Sequence, residues 1–165
     1  MPEGTLNIIR ERRSVRRFLP KPVPREVLLK LIDCARYAPS AHNQQPWEFV
    51  IITDTQIKKT IAELTDYGKF IADAPACIAV FCRETKFNIE DGSAAVTYIL
   101  LAAEALGLGT CWVAGNKKFY AEEVARILEA TQGLVLHTLI PVGYPAHKPS
   151  AHKRDLEEML HWNKF

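Results

Sequence analysis

Residues 88–109, NIEDGSAAVTYILLAAEALGLG, set the tightest limit on what this chain can become. Between Ala94 and Leu106 only Thr97, Tyr98 and Glu104 carry polar groups, so the helix predicted here is apolar on nearly every side. Such a helix must be buried on nearly every side. The run is interrupted and shorter than the roughly 20 apolar residues that a membrane span takes, so the segment belongs to a protein core. A chain of 165 residues makes one domain of ordinary size, read here as a single domain over 1–165. So small a domain has little material to cover the helix all round, and its far face predicts a second copy of the chain, a homodimer. Asn88 is placed to cap the helix, Glu90 and Asp91 favour its positive end, and Gly107 can close it.

The rest of the chain reads as helices interleaved with strands. LNIIRER (6–12) predicts a short amphipathic helix, and LPKPVP (19–24) a proline-stiffened connection into a helix over 25–37. That helix puts Val27, Leu28, Leu31, Ile32 and Ala35 on one face and stops at Pro39. WEFVIIT (47–53) predicts a strand, followed by a helix capped by Asp54 that carries Ile57, Ile61 and Leu64. ACIAVFC (76–82) is almost wholly apolar and so predicts a central strand. TCWVA (110–114) and LVLHTLIPVG (134–143) predict two further strands, with a helix over 118–130 between them through Phe119, Val124, Ile127 and Leu128. With no internal repeat and no dividing linker, the pattern gives an α+β domain built on one sheet.

Charge and cysteine usage exclude several function classes. A formal net charge of +2 and the lack of an aromatic stacking series argue against nucleic acid, and no membrane partner is indicated. MPEGTLNIIRERR holds no long apolar run and does not read as a secretory signal. Cys34, Cys77, Cys82 and Cys111 form no CxxC, each lying in a segment that reads as buried, and the five histidines are dispersed. The spacing therefore gives no metal site. Reduced, buried thiols point to a cytoplasmic protein.

Two short stretches carry more polar chemistry than folding requires. RRSVR (12–16) offers Arg12, Arg13, Ser14 and Arg16; if extended, Arg12, Ser14 and Arg16 share one face and suit a phosphate or another bidentate acceptor. A solvated basic turn is the plainer alternative. APSAHNQQPW (38–47) sets Ser40, Asn43 and Gln44 between two prolines, suited to a heteroaromatic edge with alternating donors and acceptors. The plainer alternative there is an elaborate turn satisfying its own backbone.

Taken in order, RRSVR, APSAHNQQPW and an aliphatic helix closing on GLGTCW resemble the nitroreductase family of FMN-dependent oxidoreductases, from Arg12 to about Trp162. The resemblance implies a nitroreductase-like α+β fold, with a central mixed or antiparallel sheet flanked by helices in an intertwined homodimer. It implies bound FMN, NAD(P)H as co-substrate and a small-molecule electron acceptor such as a nitroaromatic or quinone, reduced by ping-pong hydride transfer through flavin N5. Alternatives of the same fold are dehalogenation, dehydrogenation of a biosynthetic intermediate, flavin cleavage or a non-catalytic flavin-binding module.

By the same resemblance the arginine motif of residues 12–16, Arg13 included, binds the flavin. Arg12 and Ser14 reach its pyrimidine side or ribityl chain, and Arg16 its phosphate end. Pro39, Ser40, Asn43 and Gln44 edge the partner's flavin, backbone groups of Ala114 and Gly115 approach N5, Lys69 assists, and Lys153 or Arg154 completes the phosphate site. Two departures stand out: Ala114 replaces a frequent glutamate, and the stretch after the helix at 53–65 is short for a pocket-shaping lid. No side chain is nominated as catalytic acid or base.

Overall fold

The computed structural model describes residues 3–165. Met1 and Pro2, the first residues of the expected domain and of the segment read as lacking a signal, lie outside the described residues. The elements are α1 (Glu3–Glu11), α2 (Arg25–Ala35), β1 (Trp47–Ile52), α3 (Thr55–Leu64), β2 (Ala76–Arg83), α4 (Asn88–Ala105), β3 (Gly109–Thr110), β4 (Val113–Ala114), α5 (Ala121–Ile127) and β5 (Leu134–Gly143). The sheet runs β1-β2-β5-β3, with β4 also on β5, and every ladder is antiparallel. The expected mixed or antiparallel sheet is therefore antiparallel, the one parallel feature among the described residues being an isolated bridge from Ser14 to Thr110. Among the described residues no helix is long and apolar enough to cross a membrane.

β2 is apolar throughout because it is covered on both faces. Ile78, Val80 and Cys82 point into a core shared with α2 and α4, through Leu31, Ala35, Val96 and Ile99. Cys77, Ala79 and Phe81 point the other way, into a core with Ile61, Val124, Leu136 and Leu139. This is the two-residue alternation of a strand between two helical layers. Cys77, Cys82 and Cys111 are buried as expected; Cys34 is exposed, on the outer side of α2.

Helix ends follow local chemistry. Asp54 caps α3, its carboxylate accepting from the Ile57 N–H at 2.8 Å. Gly107 closes α4 at φ +71, with Leu108 N–H to Ala103 O (2.8 Å) and Gly107 N–H to Glu104 O (3.1 Å) completing a Schellman motif. Asn88, expected as the N-cap, is instead the first helical residue: the preceding Phe87 accepts the first helical bond, from the Asp91 N–H at 2.9 Å. The helix expected over 118–130 shortens to α5, and Phe119 faces solvent.

The strand expected over 110–114 breaks in two. Thr110 turns its carbonyl to the Val15 N–H (2.8 Å), so Cys111 is the next residue whose backbone faces β5. The register places it opposite Pro141, which has no N–H to give. Pairing resumes at Val113, opposite Leu139. On the other edge of β5 the register with β2 slips between Val80–Thr138 and Phe81–Leu136, leaving His137 as the extra residue of a bulge.

The arginine-rich strip lies against β3 through Val15, which is 2% exposed. A Cβ on Gly109 would stand 2.7 Å from Val15 side-chain carbons, so only glycine allows this approach. Gly109→Ala is expected to lower stability by about 1–3 kcal/mol through overpacking. Chemical denaturation should show Val15→Ala recovering part of that loss in the Gly109→Ala background. Gly107→Ala meets nothing within 4 Å and suffers only from its positive φ, so Val15→Ala should not rescue it.

Candidate functional site

A cleft of about 490 Å³ opens where the N-terminal strip, the segment after α3 and β4 converge, lined by Arg16, Tyr67, Phe70, Cys111, Trp112 and Ala114 among others. Its volume lies in the range of small-molecule sites. The Cys111 thiol marks one wall. Burial pushes it up, opposed by the Arg16 charge, a hydrogen bond with Ser14 and the Arg12 charge. Of the strip RRSVR, Arg16 lines the cleft beside Cys111. The bridge from Ser14 to Thr110 and the inward Val15 hold the strip extended. Arg16 also stacks over Phe70, 5.9 Å from the ring centre.

β4 is held from both sides. The Thr138 hydroxyl donates to Val113 O (2.7 Å) and the Tyr120 hydroxyl to Ala114 O. Gly115 sits too close to Leu136 for any side chain, a Cβ being 2.7 Å from its Cγ. Its N–H donates to His137 O (3.0 Å), as does that of Asn116, so the β5 bulge fixes the exit of β4. Trp112 packs edge-on to the His137 ring, whose Nε2 lies 3.3 Å from Ser93 Oγ.

The other expected residues lie elsewhere in the single chain. Arg13 folds back, donating to Arg10 O (2.6 Å) and Arg12 O (2.9 Å) at the end of α1. Lys69 donates to Glu63 O (2.9 Å) and is exposed, while its neighbour Phe70 takes the cleft position. Pro39, Ser40, Asn43 and Gln44 do not line the cleft; their turn is bent by left-handed His42, Asn43 and Gln45. Lys153 and Arg154 lie on a tail, residues 151–165, that is exposed throughout.

Cleft residues not singled out from sequence include Asp66, Tyr67, Phe70, Lys118 and Tyr120. The stretch that reads as too short for a lid nevertheless supplies the first three. Lys118 follows Gly115 in a basic pair, a signal that was present in the sequence. Tyr120 is hidden in what reads as an amphipathic helix. Its hydroxyl is raised above the usual phenol range by burial and then by the Asp66 charge.

Burial lowers His137 below its usual range. As pH falls below about 6.5, the unfolded chain takes up a proton that the folded chain resists, so stability falls with pH in that window. His137→Gln removes this linkage. Denaturation at about pH 7 and about pH 5 should show the wild-type advantage over the variant shrinking on acidification; an advantage that holds or grows would contradict the assignment.

Known proteins agree with this architecture. The sequence profile of the Nitroreductase family matches residues 9–76 and 64–144. A candidate NADH dehydrogenase/NAD(P)H nitroreductase of Methanothermobacter thermautotrophicus is 33% identical over 168 residues, covering 97% of this chain and 87% of that one. An iodotyrosine deiodinase of Thermotoga neapolitana is 29% identical over 185 residues, covering 96% and 97%. Among solved structures, a candidate NADH dehydrogenase/NAD(P)H nitroreductase of Bacteroides thetaiotaomicron superposes with a TM-score of 0.95 at 32% identity, covering all of both chains. An FMN-dependent nitroreductase of Clostridium difficile superposes at 0.91 and 26% identity, covering 97% and 99%. The chain is an oxidoreductase that belongs to the nitroreductase family.

Proposed function

We propose that the chain binds FMN in the cleft and, as a homodimer, uses NAD(P)H to reduce small-molecule acceptors such as nitroaromatics and quinones. The observation that carries this reading is the cleft that Arg16 lines with Phe70, Cys111, Trp112 and Ala114, on an extended strip that also carries the Arg12 guanidinium. A phosphomonoester carries about −1.5 to −2 charges at neutral pH and calls for several cations. The two guanidinium groups provide them, in a fork that suits phosphate or a polar ring edge. Tyr120 and Thr138 hold the β4 carbonyls still, Gly115 lets the chain close onto Leu136, and Phe70 and Trp112 offer apolar surfaces.

FMN bound there supplies the redox chemistry, hydride taken from the nicotinamide and passed to the acceptor in alternation. The protein's own residues orient, neutralise and exclude water; none stands as a proton donor. Pro39, Ser40, Asn43, Gln44, Lys153 and Arg154 enter this site from a second copy or with the docked tail, and Arg13 and Lys69 support it from outside. Four unpaired cysteines keep with a reducing, cytoplasmic setting.

The dimer is supported by what one chain leaves uncovered. The tail exposes Leu156, Met159, Leu160, Trp162 and Phe165, and α4 exposes Ile89 and Tyr98. Apolar surface of this extent marks an interface. Deleting 151–165 is expected to convert a dimer to a monomer in gel filtration with light scattering, and to lower flavin content. A tail-less chain that remains a flavin-loaded dimer would contradict the tail's part in the interface.

The purified protein should be yellow and bleach anaerobically with NADH or NADPH. Arg16→Ala removes charge-assisted hydrogen bonds and should weaken FMN by about ten- to hundredfold in a fluorescence titration. Wild-type affinity in that variant would move the flavin elsewhere. Dehalogenation is the second reading, favoured by the deiodinase relative at 29% identity; iodide release from an iodotyrosine separates it from nitroreduction.

A further inference from the structure

Asp91, in the first turn of α4, is a polar side chain only 4% exposed. Its Oδ1 accepts from the Ala41 N–H at 2.9 Å, a contact spanning 50 residues. Its Oδ2 is buried with no partner among the described residues. A group chosen for stability alone would be apolar or satisfied on both oxygens, because an unpaired buried acceptor is costly. What Asp91 does accomplish is directed at one place, the turn at 40–45.

That turn needs outside support. His42 (φ 52), Asn43 (φ 55) and Gln45 (φ 47) all adopt left-handed backbone without being glycine, a strained arrangement. Its remaining hydrogen bonds are local: Asn43 N–H to Ser40 O (3.0 Å), Gln44 N–H to Ala41 O (3.0 Å), Gln45 N–H to Ser40 Oγ (3.0 Å) and Gln45 Nε2 to Asn43 O (3.3 Å). Among the described residues, the Asp91 bond alone ties 40–45 to another part of the molecule.

We propose that Asp91 is a positioning residue that clamps the strained turn to α4 and so presents Ser40, Asn43 and Gln44 to the cofactor. The inference rests on the FMN reading above for its ligand, while the clamp itself is a property of the chain alone. Asp91→Asn keeps a carbonyl oxygen for the Ala41 N–H; Asp91→Ala removes it. Ala41→Pro deletes the same bond from the turn side, and Ser40's extended backbone (φ −142, ψ 153) tolerates a following proline.

The full-length protein is compared by hydrogen exchange and FMN titration. Asp91→Ala should exchange the amides of 42–45 about tenfold faster and bind FMN about tenfold more weakly, with α4 protection unchanged. Asp91→Asn should restore both. In the Ala41→Pro background, Asp91→Ala should add no further loss of FMN affinity, a comparison that needs only soluble protein. Unaltered exchange in Asp91→Ala, an Asparagine variant as impaired as the alanine one, or additive losses in the double variant each overturn the proposal. A chain retaining no FMN even as wild type would defeat the functional reading, and the exchange data would still decide the clamp.

Discussion

The backbone of β5 is the constraint on which the rest of the structure depends. This one strand hydrogen-bonds to β2 along one edge and to β3 and β4 along the other. Two local features break its regularity. Pro141 withholds an N–H and so interrupts the second edge, freeing residues 111–112 from the sheet to form a wall of the cleft. The bulge at His137 turns a carbonyl outward that takes both Gly115 and Asn116, which ends β4 and redirects the chain toward Lys118 and Tyr120. A regular strand would have continued the sheet and left no cleft. The site is therefore a consequence of two irregularities in the most buried part of the fold, where packing prevents them from relaxing.

The strip of arginines is fixed by the same scaffold at one remove. β3 is held by β5; Val15 is held by β3; Ser14 and Arg16 take their direction from Val15. The charged groups need no ion pairs to be oriented, because a buried apolar neighbour sets the backbone between them. Surface ion pairs occur elsewhere, between Arg36 and Asp33 (2.6 Å) and between Arg83 and Glu48 (2.8 Å), and both are exposed. Such pairs contribute about 0–1 kcal/mol each. The energetics of the site rest on close packing, its chemistry on charges left available.

Most of this architecture was legible in the sequence. β5 occupies the residues its composition marked, α3 starts at the aspartate that caps it, and Val15 is buried between the polar Ser14 and Arg16 as strand alternation requires. What was not legible depends on partners distant in sequence. The split of 110–114 is dictated by a proline 30 residues away that pairing alone brings opposite. Phe70 faces the cleft and Lys69 turns to Glu63 O, because a single turn of 3-10 helix at Lys69–Ile71 decides which side chain points inward. Arg13 is lost to the end of α1 because free carbonyls there attract a guanidinium. The polar turn and the C-terminal cations do not line the cleft within one chain, and nothing in the order of the motifs reveals that separation.

The rim of the cleft bears on which acceptors suit it. Tyr67 is 89% exposed and Trp112 37%, so the entrance offers flat aromatic faces standing in water. The ionic side chains of the cleft, Arg16, Asp66 and Lys118, are of mixed sign and lie on different segments. A pocket that selected its substrate by charge or by a precise hydrogen-bond pattern would bury matched polar groups, and the mismatch of an analogue would then be heavily penalised. Stacking on exposed rings discriminates weakly, because every planar molecule presents a similar face. With so short a segment between α3 and β2 to fold over the entrance, little can tighten that selection after binding. On the flavin reading proposed above, such a rim favours tolerance of a range of planar acceptors, their redox character counting for more than their outline.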